Sequence, residues 1–251
     1  MRPVLIGAGR GSRLQHRTDE IPKTLVPVMG RPMLEWILDA LKVVGWSKKD
    51  VIFICGYKHE VLRAQYPEFT YVLNDNWENN NILASLMYAR EHLKDGFMSS
   101  YTDIIYKPSC VKDAFDAPWD KVLVNDTDWR RRYTRRSNHP ESDAEKLKAE
   151  GPRIVDISRT IPSAEASGEF IGVTKFSASG AKELCEAYDD AKIHCETLGD
   201  RPFEKAYLIH LFQRMIQKGS QFHCVDTPGG YMELDTLQDL EFAESWWNGG
   251  S

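Results

Sequence analysis

The residues best suited to chemistry lie near the start of the chain, where a glycine-rich turn precedes two basic side chains. Glycines after a buried strand let backbone N–H groups approach an anion, because no Cβ blocks them and positive φ is accessible. Arg13 then offers a planar fork and Lys23 a compact charge for phosphate oxygens. The turn directly follows the apolar run 4–6 and predicts a polyphosphate site. Its candidate binding residues are Gly7, Ala8, Gly9, Gly11 and Ser12.

Two other phosphate-binding motifs fit this turn poorly. A dinucleotide-binding GxGxxG turn would need a third glycine at position 12, where Ser12 stands. It would also need an acidic residue after the second strand, which ends in Cys55 and Gly56. A P-loop requires Gly-Lys-Ser/Thr, which the sequence lacks. Neither motif explains the turn.

Two aspartates far apart in the chain are candidate metal ligands. Asp103 follows the predicted strand 97–102, and Asp235 precedes the last predicted helix. Mg²⁺ takes hard oxygen ligands and is commonly held by one or two carboxylates together with substrate phosphates. Asp235 could equally cap the helix that follows it. Their separation in the chain does not by itself bring the two carboxylates together.

The segment 128–136 holds five arginines and two aromatic residues, and three interpretations of it stay open. A nucleic-acid patch is one, although the run is short and the chain is acidic. A solvated face is the ordinary fate of a charge run. The third is a binding site for a small phosphate-bearing molecule, which we call the acceptor. In that site Arg135 would bind the phosphate, and Trp129 or Tyr133 would cover the organic part. Aromatic faces would suit an ammonium group.

Alternating strand and helix patterns surround these candidates. Alternation of this kind predicts a three-layer α/β fold, a mostly parallel central sheet with helices on both faces, whose ligands bind outside the carboxyl ends of the strands. We expect a single domain over 1–251, with a nucleotide-binding part over 1–105 and an acceptor-binding part over 106–251. The predicted strands are 4–6, 51–54, 71–73, 97–102, 121–125, 153–158 and 170–176, and the predicted helices are 32–41, 81–93, 179–191, 203–218 and 237–247.

The composition excludes several classes of protein. The chain has 251 residues, 42% of them apolar, and a formal net charge of −5, so a basic nucleic-acid footprint is missing. Its five cysteines form no CxxC pair, which favours a reduced, cytoplasmic setting. No apolar stretch approaches a membrane span or a signal peptide. The sequence leaves open whether the protein forms a homo-oligomer.

The opening segment resembles the nucleotidyltransferase family that makes nucleoside-diphosphate sugars, cholines and phosphonates. That family has the motif GxGxRL, then a short spacer, then Pro-Lys-x-Leu-x-Pro-Val. Gly7 departs from it, since the family usually has alanine there. The resemblance implies a Rossmann-like fold of the nucleotide-diphospho-sugar transferase type and direct in-line attack on the α-phosphate. The matching residues are Gly9, Gly11, Arg13, Leu14, Pro22, Lys23, Leu25, Pro27 and Val28.

The same resemblance assigns roles within this reaction. Arg13 and the amides of the turn would hold the triphosphate, and Lys23 would neutralise charge between nucleotide and acceptor. Asp103 and Asp235 would together bind Mg²⁺. The segments Asn-Asn-Ile (80–82), Tyr-Thr-Asp-Ile-Ile (101–105) and Glu-Leu-Asp-Thr (233–236) are similar to the branch that contains phosphocholine and phosphonate cytidylyltransferases.

This branch implies CTP as the nucleotide and a small phosphate or phosphonate acceptor, similar to phosphocholine or 2-aminoethylphosphonate. Lys146, in a segment that looks like the acceptor loop of the branch, and Glu169 are further acceptor candidates. A sugar-1-phosphate transferase that uses UTP, GTP or dTTP is an alternative, and so is a non-catalytic nucleotide-binding subunit. The residues implied to lie near the nucleotide are Gly56, Tyr57, Asn81 and Ser85.

Overall fold

The computed structural model describes residues 1–134 and 136–249, which are built around one nine-stranded sheet with helices on both faces. The strands are β1 (Arg2–Gly7), β2 (Pro27–Val28), β3 (Arg31–Pro32), β4 (Ile52–Cys55), β5 (Thr70–Leu73), β6 (Phe97–Tyr101), β7 (Ile104–Tyr106), β8 (Lys121–Asp126), β9 (Lys146–Glu150), β10 (Arg153–Ile157), β11 (Gly168–Phe176), β12 (Thr197–Leu198), β13 (Arg201–Pro202), β14 (Phe222–Thr227) and β15 (Tyr231–Glu233). The helices are α1 (Met33–Leu41), α2 (His59–Gln65), α3 (Ile82–Tyr88), α4 (Pro108–Asp116), α5 (Trp129–Tyr133), α6 (Ala178–His194), α7 (Leu208–Gln217) and α8 (Leu237–Gly249).

The main sheet has the order β5-β4-β1-β6-β11-β8-β14-β10-β9, and its first four strands are parallel neighbours. Strands β11 and β10 run against their neighbours, so seven of the nine strands share one direction. The turn at Gly151, which has φ +59°, joins β9 to β10 and is too short for a parallel crossover. The predicted α/β class is confirmed, with a mixed second half.

Two apolar cores cover the two faces of the sheet. Along β1, Val4 and Ile6 belong to one core and Leu5 to the other, because successive strand residues point to opposite faces. Helices α3, α6 and α7 complete the first core, while α1, α2 and α4 complete the second. The continuous apolar character of β1 and β4 follows from this double burial.

A third, smaller core brings the two ends of the chain together. Leu14 and Val26, which flank the basic residues of the first loop, pack with Ile105, Met232 and Leu234. Strands β7 and β15 form an antiparallel ribbon. Ile105 lies in β7, Met232 lies in β15, and Leu234 directly follows β15. This packing determines where the acidic residues of the ribbon lie relative to the first loop.

Local details differ from the sequence prediction. The predicted helix 81–93 ends at Tyr88 and continues as a single 3₁₀ turn, Arg90–His92. The predicted helix 203–218 begins only at Leu208, after a separate 3₁₀ turn at Phe203–Lys205. Within residues 1–134 and 136–249, no helix is both long and apolar enough to cross a bilayer.

Candidate active site

A cleft of about 310 Å³ opens at the carboxyl end of β1, where the glycine-rich turn begins. Asn80 of the Asn-Asn-Ile segment and Trp77, which the sequence analysis did not name as a site residue, also contribute to its wall. The cleft is lined by seven of the predicted nucleotide-binding residues: Gly7, Ala8, Gly9, Gly11, Ser12, Asn81 and Ser85.

Gly56 and Tyr57 contact the turn itself, outside the wall of the cleft. The backbone N–H of Tyr57 donates a hydrogen bond to the carbonyl of Ala8 at 2.9 Å. A Cβ on Gly56 would lie 2.6 Å from the same carbonyl oxygen and 2.8 Å from the Trp77 ring. The two residues therefore fix the shape of the turn, and glycine at position 56 is required by this close approach.

Gly11 gives the side chain of Lys23 room to pass under the turn. It has φ +70°, a region that favours glycine, and a Cβ there would lie 2.5 Å from Cδ of Lys23. Lys23 is itself buried, with only its ammonium end reaching the cleft. The spacing between glycine and lysine in the sequence thus corresponds to direct packing.

Lys23 joins the two distant aspartates. Its Nζ donates to Oδ2 of Asp103 at 2.9 Å and also to Oδ1 of Asp235. Arg13 donates from Nη2 to the other oxygen of Asp235. We call these four residues, Arg13, Lys23, Asp103 and Asp235, the catalytic cluster, after the role that is proposed for them below.

The charges of this cluster stabilise one another. Burial alone would lower the pKa of Lys23, but Asp103 and Asp235 outweigh it and raise that pKa above its usual value. Burial would likewise raise the pKa of Asp235, yet Lys23 and Arg13 hold it well below its usual range. Lys23 therefore remains a cation and Asp235 an anion over the physiological pH range.

Asp235 does not cap the helix that follows it. The capping residue is Thr236, whose Oγ1 accepts from the backbone N–H of Asp239 at 3.2 Å. Asp239 completes a capping box, since its Oδ2 accepts from the backbone N–H groups of Asp235 and Thr236 at 3.0 and 2.8 Å. The carboxylate of Asp235 instead contacts Lys23 and Arg13. The capping alternative for Asp235 is therefore wrong, and its role as a metal ligand stays a prediction.

Glu233 and His139 extend the acidic group, and the sequence reasoning missed both. The His139 ring lies 3.4 Å from Oε2 of Glu233 and 3.5 Å from Oδ2 of Asp235. One ligand atom from each of these three residues lies within 4.8 Å of the others. Glu233 could have been found from the alternation of an extended segment, which places residues 233 and 235 on one side.

The donor set of this region suits a hard divalent cation. Burial, together with the charge of Asp235, raises the pKa of Glu233 well above its usual value. Asp103 adds a third carboxylate, and Lys23 contacts only two of the three. Arg13 contacts Asp235 and Arg136 lies 3.5 Å from Glu233, so the cluster also holds cations, but all three carboxylates supply the oxygen ligands that Mg²⁺ prefers.

A second cavity of about 430 Å³ continues from the first. It shares the catalytic cluster residues Arg13, Asp103 and Asp235 with the cleft, and Asn81 lines both. Its far wall consists of residues that the sequence reasoning did not identify, because they come from separate segments of the chain: Tyr101, Glu145, Arg159, Arg201 and Tyr207.

The residues predicted for the acceptor lie elsewhere. Trp129, Tyr133 and Glu169 are buried and line neither cavity. Arg132 donates to both Asp126 and Glu169 in this interior. Tyr133 donates from its hydroxyl to Oε1 of Glu169 at 2.6 Å. We call Asp126, Arg132, Tyr133 and Glu169 the buried cluster.

Two further acceptor candidates complete this account. Lys146 is buried on β9, where burial lowers its pKa, and it lines neither cavity. Its neighbour Glu145 lines the second cavity instead. The predicted Arg135 lies outside the described residues. Within the described part of the run, the rings of Trp129 and Tyr133 pack into a small core with Ala144 and the side chains of Arg132 and Arg136 are buried, while Arg130 and Arg131 are exposed.

Known proteins share this fold and, over part of the chain, this sequence. A protein of Campylobacter jejuni named CTP:phosphoglutamine cytidylyltransferase is 26% identical over 96% of this chain and 98% of its own length. The CMP-5'-(3-aminopropyl)phosphonate synthase of Streptomyces rubellomurinus is 32% identical over 47% of this chain and 19% of its own length. The solved structure of the phosphocholine cytidylyltransferase of Streptococcus pneumoniae superimposes with a TM-score of 0.72 at 22% identity, over 98% of this chain and 99% of that one, which shows a common fold.

The family itself is determined by a match over more than half of the chain. The MobA-like NTP transferase domain matches residues 3–140, which include the glycine-rich turn, Arg13, Lys23 and Asp103. This match confirms the resemblance to nucleotidyltransferases that the opening motif indicated. The chain belongs to the family of MobA-like NTP transferase domains.

Proposed function

We propose that the protein is a Mg²⁺-dependent cytidylyltransferase that transfers CMP from CTP to a small phosphate or phosphonate acceptor and releases pyrophosphate. The observation that carries this proposal is the catalytic cluster, in which Lys23 contacts both Asp103 and Asp235 beside a glycine-rich turn. Membership of a nucleotidyltransferase family agrees with it. The choice of CTP is supported by the names of the relatives, which act on different acceptors.

The reaction brings two anions together. An oxygen of the acceptor phosphate attacks the α-phosphorus of the nucleotide, and pyrophosphate leaves in line with it. Catalysis of such a step comes mainly from positioning and charge neutralisation. We assign the triphosphate to the amides of the turn and to Arg13. We place Lys23 between nucleotide and acceptor because its Nζ contacts Asp103 and Asp235, which line both cavities.

Asp103 and Asp235 would hold Mg²⁺, with Glu233 beside them. When bound, the ion supplies positive charge to phosphate oxygens. Lys23 keeps its proton through the reaction, because two carboxylates stabilise its charged form. Its proposed role is therefore that of a fixed cation and not that of a general base.

The cytosine ring of the nucleotide would lie against a wall of amide and hydroxyl groups. Asn74 is bonded reciprocally to Asn80 at 2.9 Å and donates to Oγ of Ser85 at 2.8 Å. Asn81 caps α3 through the N–H of Ile82, which orients the segment. Amides that are held in this way can both donate and accept toward a base edge.

The proposal also divides the chain by role, with 1–105 holding the nucleotide and 106–251 supplying most of the acceptor wall. The buried residues Trp129, Tyr133, Lys146 and Glu169 would support that wall from behind. The second cavity, which reaches Glu145 and Arg159, is the proposed acceptor site.

Pyrophosphate release with each nucleotide tests this function. The protein is incubated with Mg²⁺ and CTP, UTP, GTP or dTTP, each with a panel of small phosphates, phosphonates and sugar 1-phosphates. We expect release with CTP and a non-sugar acceptor, and its loss in Asp103→Ala. Preference for UTP, GTP or dTTP with a sugar 1-phosphate would favour the sugar branch. Absence of release with every combination would indicate a non-catalytic subunit.

A further inference from the structure

We infer that the acceptor is a zwitterion, namely an amino acid or amino-acid derivative that carries an ammonium group and a carboxylate besides its phosphate or phosphonate. The inference rests on the proposed function, because the second cavity is an acceptor site only if the first holds the nucleotide. The inference is based on groups of opposite charge that line the far wall of that cavity. Arg159 and Arg201 are the cations, and Glu145 is the anion.

Both arginines pack against one aromatic ring. The guanidinium carbons of Arg159 and Arg201 are 4.0 and 5.2 Å from the centre of the Tyr207 ring. Arg159 follows β10, while Arg201 begins β13, so the pair is assembled from separate segments. Stacking of this kind fixes the planes of the guanidinium groups while leaving their N–H edges available to a ligand.

Much of the hydrogen-bonding capacity of this pair is unused by the protein. Arg159 donates to Glu145 at 3.3 Å, and its Nε is buried without a hydrogen-bond partner among residues 1–134 and 136–249. The side chain of Arg201 is 43% exposed, and its ionic contact with Asp200 is long, at 3.9 Å. Both guanidinium groups line the same cavity, and the donors that the protein leaves unused there suit a planar anion such as a carboxylate, which matches the fork geometry of a guanidinium group.

Glu145 supplies the opposite charge. It is buried, and its carboxylate accepts from Tyr101 Oη at 3.2 Å and from Arg159 at 3.3 Å, both long contacts. Burial raises the pKa of Glu145 to about 6 despite the nearby Arg159. Its ionised form is thus only partly compensated, and an ammonium group in the cavity would complete the compensation.

The same wall is unsuited to an acceptor whose organic end is only cationic. A quaternary ammonium group is recognised by free aromatic faces. Here the Tyr207 ring is already covered by guanidinium groups, and the Tyr101 ring packs edge-on against Phe170 at 6.0 Å. A cation without a carboxylate would therefore meet Arg159 and Arg201 without compensation.

Matched acceptors test the inference, using the full chain with CTP and Mg²⁺. O-phosphoserine and phosphoethanolamine differ only in the carboxylate, as do the longer 2-amino-4-phosphonobutyrate and 3-aminopropylphosphonate. The 3-phosphate of 3-hydroxypropionate lacks only the ammonium group of O-phosphoserine. In the pair whose length fits the cavity, we expect the zwitterion to have a kcat/KM at least about tenfold higher, the value of one hydrogen bond to a charged group. Equal or better turnover of the carboxylate-free member of both pairs would overturn the inference.

Two variants separate the two halves of the recognition. Arg201→Gln should lower the preference for the carboxylate-bearing acceptor about tenfold, mainly through KM, and Glu145→Gln should lower the preference for the ammonium-bearing one. Arg153→Gln, at an exposed position on β10, is the matched control and should leave both preferences unchanged. Preferences that Arg201→Gln and Glu145→Gln leave unaltered would contradict the assigned contacts.

Failure of the inference can be told apart from failure of the proposed function. Release of pyrophosphate with CTP but without a preference for zwitterions would overturn the inference and leave the proposed function intact. No release with any acceptor would contradict the proposed function. The inference would then be overturned as well, because it describes the acceptor of that reaction.

Discussion

The catalytic cluster and the buried cluster are built from the same chemistry but differ in access. In the first, the side chain of Arg13 is 52% exposed and that of Asp103 is 32% exposed. In the second, Arg132 is 2% exposed and Asp126 is fully buried. The first joins two basic groups to two carboxylates, and the second joins one basic group to two. In the part of the chain that the structure describes, the catalytic cluster lines cavities of about 310 and 430 Å³, whereas Arg132 of the buried cluster reaches only a pocket of about 20 Å³.

This difference separates binding from support. Charges that are open on one side can exchange part of their protein contacts for a phosphate or a metal ion. Charges that are enclosed can only stabilise one another. Removing one of them leaves its partner buried and uncompensated in an interior that solvates ions poorly. We therefore expect loss of a residue from the catalytic cluster to abolish turnover, and loss of a residue from the buried cluster to weaken the fold.

The largest expected effect is on turnover in Asp235→Ala. Its carboxylate contacts Lys23 and Arg13 at the junction of the two cavities, so its loss removes a proposed Mg²⁺ ligand and misplaces both cations. We expect kcat for pyrophosphate release to fall by about 10³-fold or more, at the upper end of losses for a single stabilising group. Asp19→Ala, which breaks an exposed pair with Arg10, is the control and should change kcat little. Full activity in Asp235→Ala would remove the basis of the comparison.

The next effect is on stability in Arg132→Ala. This change leaves Asp126 and Glu169 buried without their cation, which should cost about 3–5 kcal/mol of unfolding free energy. Urea denaturation measures it. Arg131→Ala on the same short helix, where the side chain is exposed, should cost about 0.5 kcal/mol or less. If Arg132→Ala instead lowered the affinity for the acceptor and left the stability unchanged, the result would support the acceptor-binding interpretation of the segment 128–136.

Much of the catalytic cluster could be predicted from the sequence because its signals are local. The glycines, Arg13 and Lys23 lie within one short segment, and Gly11 packs directly on Lys23. Asp103 could be found since it follows a clear strand. The meeting of Asp103 with Asp235 depended on the resemblance to a family, because only the packing of β7 with β15 brings these distant positions together.

The acceptor wall could not be predicted in the same way. Glu145, Arg159 and Arg201 come from three separate segments, so no spacing in the sequence connects them. The arginine run 128–136 misled for a related reason, because a row of charges does not show whether the carboxylates that pair with it lie in the interior. Glu169 reaches Arg132 only because β11 is inserted between β6 and β8.

A smaller effect is expected from Gly11→Ala, which examines the contact between turn and lysine. Gly11 and Gly30 both have positive φ, +70° and +79°, so alanine at either should cost about 1–2 kcal/mol of stability. Only at Gly11 would the Cβ also collide with Lys23, while at Gly30 it meets nothing within 4 Å. We expect kcat/KM for CTP to fall about tenfold in Gly11→Ala and to change little in Gly30→Ala. Equal kinetics in the two variants would show that Lys23 tolerates displacement.

The smallest effect concerns His139, which lies between the two clusters. Its Nδ1 is 2.7 Å from Arg136 and 3.5 Å from Asp235. Burial, with the charge of Arg136, lowers the pKa of His139 to about 4. An unfolded histidine has a pKa near 6.5, so between about pH 6.5 and 4 the unfolded state binds more protons than the folded state. The contribution of His139 to stability is therefore present above this window and is lost as the pH falls through it.

The difference between wild type and His139→Gln isolates this contribution. Glu145 acts in the opposite sense, since burial raises the pKa of its carboxyl to about 6, but it is present in both proteins and cancels in the difference. Urea midpoints are measured in EDTA at steps from pH 7 to pH 4, so that no metal ion competes with the proton. The stability advantage of wild type should shrink steadily over this range, because protonation of the ring places a cation beside Arg136. An advantage that stays constant would mean that His139 has the same pKa in the folded and unfolded states, so that the carboxylates of Glu233 and Asp235 offset the effects of burial and of Arg136.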